Sequence, residues 1–95
     1  MRKQIFNIKG RVKIFPIKNP WMYISVPKKY TQMTYHLADR GLVAISASLG
    51  KSRWNTSLMP MGDGTHFIPL SKKVRKKERI ELGDQIELSF ILRKR

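Results

Sequence analysis

Near the start of the chain Phe6, Ile8, Gly10, Val12 and Ile14 alternate with Asn7, Lys9, Arg11 and Lys13. Successive strand side chains point to opposite faces, so this period of two predicts a strand with an apolar inner face and a basic outer face. Gly10 marks a bulge or a tight bend within it. Asn19-Pro20 predicts a turn, and Trp21 to Val26 a second strand whose core side is Met22, Ile24 and Val26. The spacing of Tyr30, Met33 and Leu37 is that of a short helix, with Thr31 placed to cap its start and Gly41 to end it. Leu42 to Leu49 and Ser52 to Met59 form the two arms of a hairpin around Gly50-Lys51.

The pattern tightens between Leu58 and Lys73. Two apolar strand ends, Leu58 to Met61 and Phe67 to Leu70, flank Gly62-Asp63-Gly64, and glycine accepts positive φ without a Cβ clash, so a corner between β elements is predicted, followed by a strand over Thr65 to Pro69. Pro60 and Pro69 lack an N–H donor and belong where a strand leaves the sheet or a helix begins. Ser71 is placed to cap a helix running to about Ile80, with Val74 and Ile80 facing the body. Lys72, Arg75, Lys76 and Arg79 fall at i, i+3, i+4 and i+7, which predicts a cationic stripe on one helix face. Leu82-Gly83-Asp84 turns the chain into a last strand of alternating Ile86, Leu88, Phe90 and Leu92, followed by the basic tail Arg93-Lys94-Arg95. Asp63 and Asp84 both lie beside Gly, where a carboxylate accepts bonds from local backbone N–H groups. Six strands and two short helices result.

The two halves echo one another. Ile14-Phe15-Pro16-Ile17 resembles Leu58-Met59-Pro60-Met61, and Ile24-Ser25-Val26-Pro27 resembles His66-Phe67-Ile68-Pro69. Gly41 follows Pro27 by the same distance as Gly83 follows Pro69. In the last strand of each half the alternation slips by one position, as an insertion or deletion would produce. A mainly β fold follows: a closed six-stranded barrel of two pseudo-symmetric halves, which removes exposed sheet edges.

Length allows one domain, residues 1–95, with a small core. The chain has no Cys, which excludes disulfides and Cys-based zinc sites. No run approaches the roughly 20 apolar residues that span a bilayer, so a cytoplasmic protein without membrane contact is expected. Twenty Lys and Arg against six Asp and Glu give a net charge of +14, which favours polyanionic partners.

Candidate chemistry is sparse. His66 stands near Asp63, Thr65 and Ser71, but a general base needs an orienting carboxylate, and with His36 the one other histidine no acid cluster or metal set appears. Gly50-Lys51-Ser52 resembles the end of a phosphate-binding loop, yet Ile45 occupies the position of that motif's first Gly. Neither an enzyme nor a cofactor is expected. The charge supports two readings: a solvated surface that confers solubility, or phosphate contacts to DNA or RNA by Lys72, Arg75, Lys76 and Arg79 with Lys9, Arg11 and Lys13 as a second face. Trp21, Trp54, Tyr23 and Tyr35 either stack on unpaired bases or cap the barrel ends. Met59 and Met61 fit a barrel seam.

The segment T-S-L-M-P-M-G-D-G with the downstream P-L-S-K-K-V-R-K resembles the bacterial family called domain of unknown function 1905, over nearly the whole chain. The resemblance implies a double-split β-barrel, related to the barrel of AbrB and MazE class swapped-hairpin DNA-binding proteins. The second half is similar to the AbrB pattern through Gly64, Ile68, Pro69, Val74, Arg75, Ile80, Asp84, Ile86 and Glu87, with Thr65 in place of the arginine after the glycine. AbrB-type barrels take two chains, whereas the internal echo implies a monomer here. Some members of the resembled family carry a further domain, which motivates the alternative of a protein-interaction or small-ligand module.

Overall fold

The alternation at the chain start builds β1 (Phe6–Arg11) and, after a break at Val12, β2 (Lys13–Ile14). The computed structural model describes residues 4–18 and 20–93, so Asn19 of the Asn19-Pro20 turn and Lys94 and Arg95 of the basic tail lie outside the described residues. There follow β3 (Met22–Val26), α1 (Lys28–Thr34), a 3-10 turn (Tyr35–Leu37), β4 (Val43–Leu49), β5 (Ser52–Pro60), β6 (His66–Leu70), α2 (Lys72–Lys77) and β7 (Gln85–Leu92). All six predicted strand segments are present, and the division at Val12 raises the count among the described residues to seven.

The strands pair in the order β1-β7-β4-β5-β6-β3-β2, every pair antiparallel. The two ends of that order are consecutive pieces of one extended segment, so the sheet returns on itself as a nearly closed barrel. The crossing point is Val12. Its N–H donates to the Asp84 carbonyl and its own carbonyl accepts from Gly83 N, both at 2.9 Å, while Lys13 and Ile14 already pair with β3. Inside lie Ile24, Ile45, Leu58, Ile68, Leu88 and Phe90, all buried.

Exchanging β1/β2 with β5, β3 with β6 and β4 with β7 leaves the pairing pattern unchanged. Ile24 and Ile68 face each other at its centre, both fully buried. The echoed prolines, however, are not equivalent. Ile14 stands opposite Met22 and Pro60 opposite His66, so Ile14 rather than Pro16 is the counterpart of Pro60. Likewise Pro27 and Ser71 are the two helix N-caps, whereas Pro69 lies within β6. A two-residue displacement keeps every side chain on its face, so alternation alone does not distinguish the registers. The slip in the last strands is real: Ala47 stands opposite Phe90, an odd offset where Ile24 and Ile68 require an even one.

Both helices differ from expectation. Pro27 caps α1 without a side-chain bond, and Thr31 lies inside the helix, buried together with Thr34. Met33 and Leu37 are exposed. The threonines are tolerated because Thr34 Oγ1 donates to the Tyr30 carbonyl at 2.9 Å and Thr31 Oγ1 meets His66 Nδ1 at 3.2 Å. Gly41 follows the 3-10 turn rather than α1; with Arg40 it forms a two-residue turn at positive φ, closed by paired bonds between Asp39 and Leu42. In α2 the Ser71 hydroxyl accepts from Val74 N at 3.2 Å. That helix stops at Lys77, and Arg79 takes φ 55°.

Candidate nucleic-acid interface

The barrel wall opens twice. β5 pairs with β6 only at Met59↔Phe67 and Pro60↔His66, then turns to pair with β4 along its whole earlier length. Pro69 therefore removes no ladder bond with β5. The resulting split holds a cleft of about 440 Å³ whose walls include Trp21, Met22, Trp54, Met59, Lys72 and Arg75. On the opposite side of the central pair, β1 leaves β3 past Lys13, and a groove of about 270 Å³ opens among Lys9, Gly10, Arg11, Lys13, Ser25 and Pro27. The two openings occupy equivalent places: Ser25, Val26 and Pro27 edge one as Pro69, Leu70 and Ser71 edge the other.

Strands and helix α2 together place the residues of the larger cleft. Trp54 lies opposite Ala47 on the inward face, where the small neighbour leaves room for the indole, and it is half-buried. Trp21, just before β3, is 51% exposed at the rim. Arg75 bends back from α2: its Nε donates to the Leu70 carbonyl at 3.1 Å and its Nη1 lies 3.3 Å from Met22 Sδ. The guanidinium is thereby held half-buried against the cleft wall, and Lys72 stands exposed beside it.

The predicted stripe is consequently divided. Lys72 and Arg75 line the cleft, whereas Lys76 and Arg79 do not, Arg79 because the helix has ended. The predicted strand face stays together: Lys9, Arg11 and Lys13 line one groove. Lys9 Nζ pairs with Glu87 Oε1 at 3.0 Å, Arg11 Nη1 donates to the Gly83 carbonyl at 3.1 Å and Lys13 Nζ to Ser25 Oγ at 3.4 Å. The ion pair is largely exposed, so it contributes at most about 1 kcal/mol. Between the two openings, the outer surface of β3 and β6 carries a stack of Phe15 on Tyr23 at 4.2 Å, with Phe67 edge-on to Phe15 at 5.0 Å.

The turn residues sit at corners of the barrel, apart from Pro69, which lines the larger opening. Pro60 ends β5, Gly62 and Gly64 take φ 95° and 91°, and Met61 N bonds the Thr65 carbonyl at 2.9 Å. Asp63 Oδ1 accepts from Thr65 Oγ1 and Thr65 N, which lowers its pKa below the ordinary carboxylate value. Gly83 takes φ 89°, and Asp84 Oδ2 accepts from Glu81 N at 2.8 Å. His66 is buried between Thr31 and the Gly41 backbone; burial pushes its pKa down, opposed by the Gly41 bond. It faces the helix α1 side and lines neither opening.

Met59 is a cleft residue as well as a seam residue, and no local pattern marks it as such. The cleft is made by segments far apart in the chain, Trp21 on one side and Arg75 on the other. Among the described residues no group of three or more His, Asp or Glu is placed to hold a metal ion, and no helix is long and apolar enough to cross a membrane.

The family described as a domain of unknown function (DUF1905) matches residues 9–90. The chain belongs to this family. No curated protein matches it. The DUF1905 match begins at Lys9 and ends at Phe90, so it takes in both openings of the wall and the strand crossing at Val12.

Proposed function

We propose that this DUF1905 domain is a non-enzymatic binding module for nucleic acid, acting as a monomer in the cytoplasm, and that the split between β5 and β6 receives an unpaired base. The observation that carries this reading is the presence of Trp21 and Trp54 in one cleft with Lys72 and Arg75. A base stacked on an aromatic ring gains about 1–3 kcal/mol, and adjacent cations neutralise its phosphate without demanding a particular sequence. The net charge of +14 adds long-range attraction to the same partner. DNA and RNA strands satisfy these requirements alike.

A second reading draws on the apolar side chains of the cleft, where Met22, Met59 and Leu70 share the walls with the tryptophans. That lining suits a small ligand with a flat ring and an anionic group. Fluorescence anisotropy with labelled single-stranded DNA, single-stranded RNA, duplex DNA and heparin over a salt series separates the two. The nucleic-acid reading expects single strands to bind more tightly than heparin at matched salt and to quench tryptophan emission. Equal affinity for heparin, or binding without quenching, overturns it.

A further inference from the structure

Resting on that reading, we infer that the split between β1 and β3 is a phosphate subsite for the same strand, so that one single-stranded nucleic acid occupies both openings of the barrel. The two openings are equivalent by strand pairing but have diverged in chemistry. Lys13, opposite Tyr23 on β3, holds the position that Met59, opposite Phe67 on β6, holds in the other half. One opening is therefore walled by aromatic and thioether side chains and the other by three cations.

Among the described residues no acidic side chain lines the smaller groove, and Glu87 pairs with Lys9 at its edge. That pair is exposed on both sides, so a phosphate competes for Lys9 at little cost. Arg11 and Lys13 are held by a carbonyl and a hydroxyl, which fix their positions without neutralising them. Shape agrees with charge. The groove is smaller than the tryptophan cleft and offers, among the described residues, no aromatic ring on which a base could stack, but its three cations suit a phosphate met by several donors.

The geometry also sets a minimum ligand length. Crossing from one split to the other spans β3 and β6 and the flanking gaps, three inter-strand spacings or about 14 Å, and also about 13 Å along the strands, because Val26 and Leu70 edge opposite ends of the antiparallel pair. The surface crossed carries the half-buried rings of Phe15 and Tyr23, on which a sugar or base can rest. A mononucleotide fills only the tryptophan cleft. A longer single strand reaches the cationic groove, whereas a duplex, whose bases are paired, cannot enter the cleft while its backbone lies in the groove.

The test is a length series of labelled oligothymidylates, from dinucleotides upward, against the parent, Lys9→Gln/Arg11→Gln/Lys13→Gln and Trp21→Ala. Lys9→Gln/Lys13→Gln, which keeps the Arg11 bond to Gly83, serves if the triple variant does not fold by circular dichroism. The expected result is that the shortest strands bind parent and charge variants equally, and that longer strands gain affinity only in the parent. The magnitude of the salt slope for long strands should fall by about 0.7 in the triple variant, the contribution of one neutralised phosphate, and by no more than that in the double. An unchanged length dependence and slope in the charge variants overturns the second subsite while leaving base binding in place. Loss of the length-dependent gain in the charge variants, with no effect of Trp21→Ala, supports the groove and removes the stacking cleft. A parent that binds no oligothymidylate at low salt overturns both.

Discussion

The Ser52 hydroxyl donates to Glu78 Oε2 at 2.6 Å, joining the β4–β5 turn to the C-terminal end of α2. Lys51 N reaches the other carboxylate oxygen at 3.4 Å, and a Cβ at Gly50 would collide with the same carboxylate. The helix that carries Lys72 and Arg75 is thus fastened at both ends, by Ser71 at its start and by Glu78 at its close.

This fastening predicts the cost of breaking it. Ser52 is buried, so Ser52→Ala should lose about 1.5–3 kcal/mol, the range for a hydrogen bond to a charged group. Gly50→Ala should be destabilising as well, because φ 59° and the Glu78 carboxylate both oppose a side chain. Urea unfolding of Ser52→Ala, Glu78→Gln and Ser52→Ala/Glu78→Gln gives the coupling. If the two single losses simply add, the bond is not what holds the helix.

His66 makes stability depend on pH in a stated direction. Burial lowers its folded pKa below 6.5, so the unfolded chain binds the proton more readily. Its contribution is complete above about pH 6.5 and is lost as pH falls from there towards the folded value, by at most about 1.4 kcal/mol per pH unit. Urea midpoints across that range should fall in the parent, and the His66→Gln variant should show a flatter limb. A parent as stable at mildly acid pH as at neutral pH would contradict the buried neutral imidazole.

The division of the α2 cations predicts unequal roles. For a long single strand, Lys72→Gln/Arg75→Gln should reduce the magnitude of the log-affinity against log-salt slope by about 1.4, and Lys76→Gln/Arg79→Gln should leave it nearly unchanged. Anisotropy titrations at several salt concentrations measure both. Equal effects of the two pairs would mean that charge acts at a distance and the cleft selects nothing.

Phe90 stacks on Phe6 at 4.9 Å where β7 meets β1, and it is fully buried. Phe90→Ala should cost about 3–5 kcal/mol, a large share of the roughly 5–15 kcal/mol that holds a small domain together. Thermal unfolding followed by circular dichroism should show a markedly lower midpoint. A shift of only a few degrees would mean that this seam of the barrel is loosely packed.

What the chain disclosed before its fold was known follows from locality. Strands appear because alternation is a property of neighbours, and the Ser71 cap and the Asp63 turn need only residues a few positions apart. The break at Val12 is different: its partners are Gly83 and Asp84, far along the chain, and nothing beside Val12 announces them. The proline echo misled because proline resists ladder positions for several distinct reasons, a loop at Pro16, a strand end at Pro60 and a helix cap at Pro27. Helical periodicity placed Arg79 with Lys72 by assuming that the helix continues, but φ at Arg79 ends that assumption. The tryptophan cleft depends on where two strands part, which is a property of the closed sheet.

β7, made after every other strand, lies between β1 and β4. Until it emerges during synthesis, the growing chain can assemble the β3–β6 ribbon and the β4–β5 hairpin, but β1 and β4 each lack a neighbour. Their unpaired N–H and C=O groups are open to any other extended chain nearby. The barrel is thus completed from its middle at the last moment, and a ribosome stalled before Gln85 would release a sticky, edge-bearing intermediate rather than a slightly shortened domain.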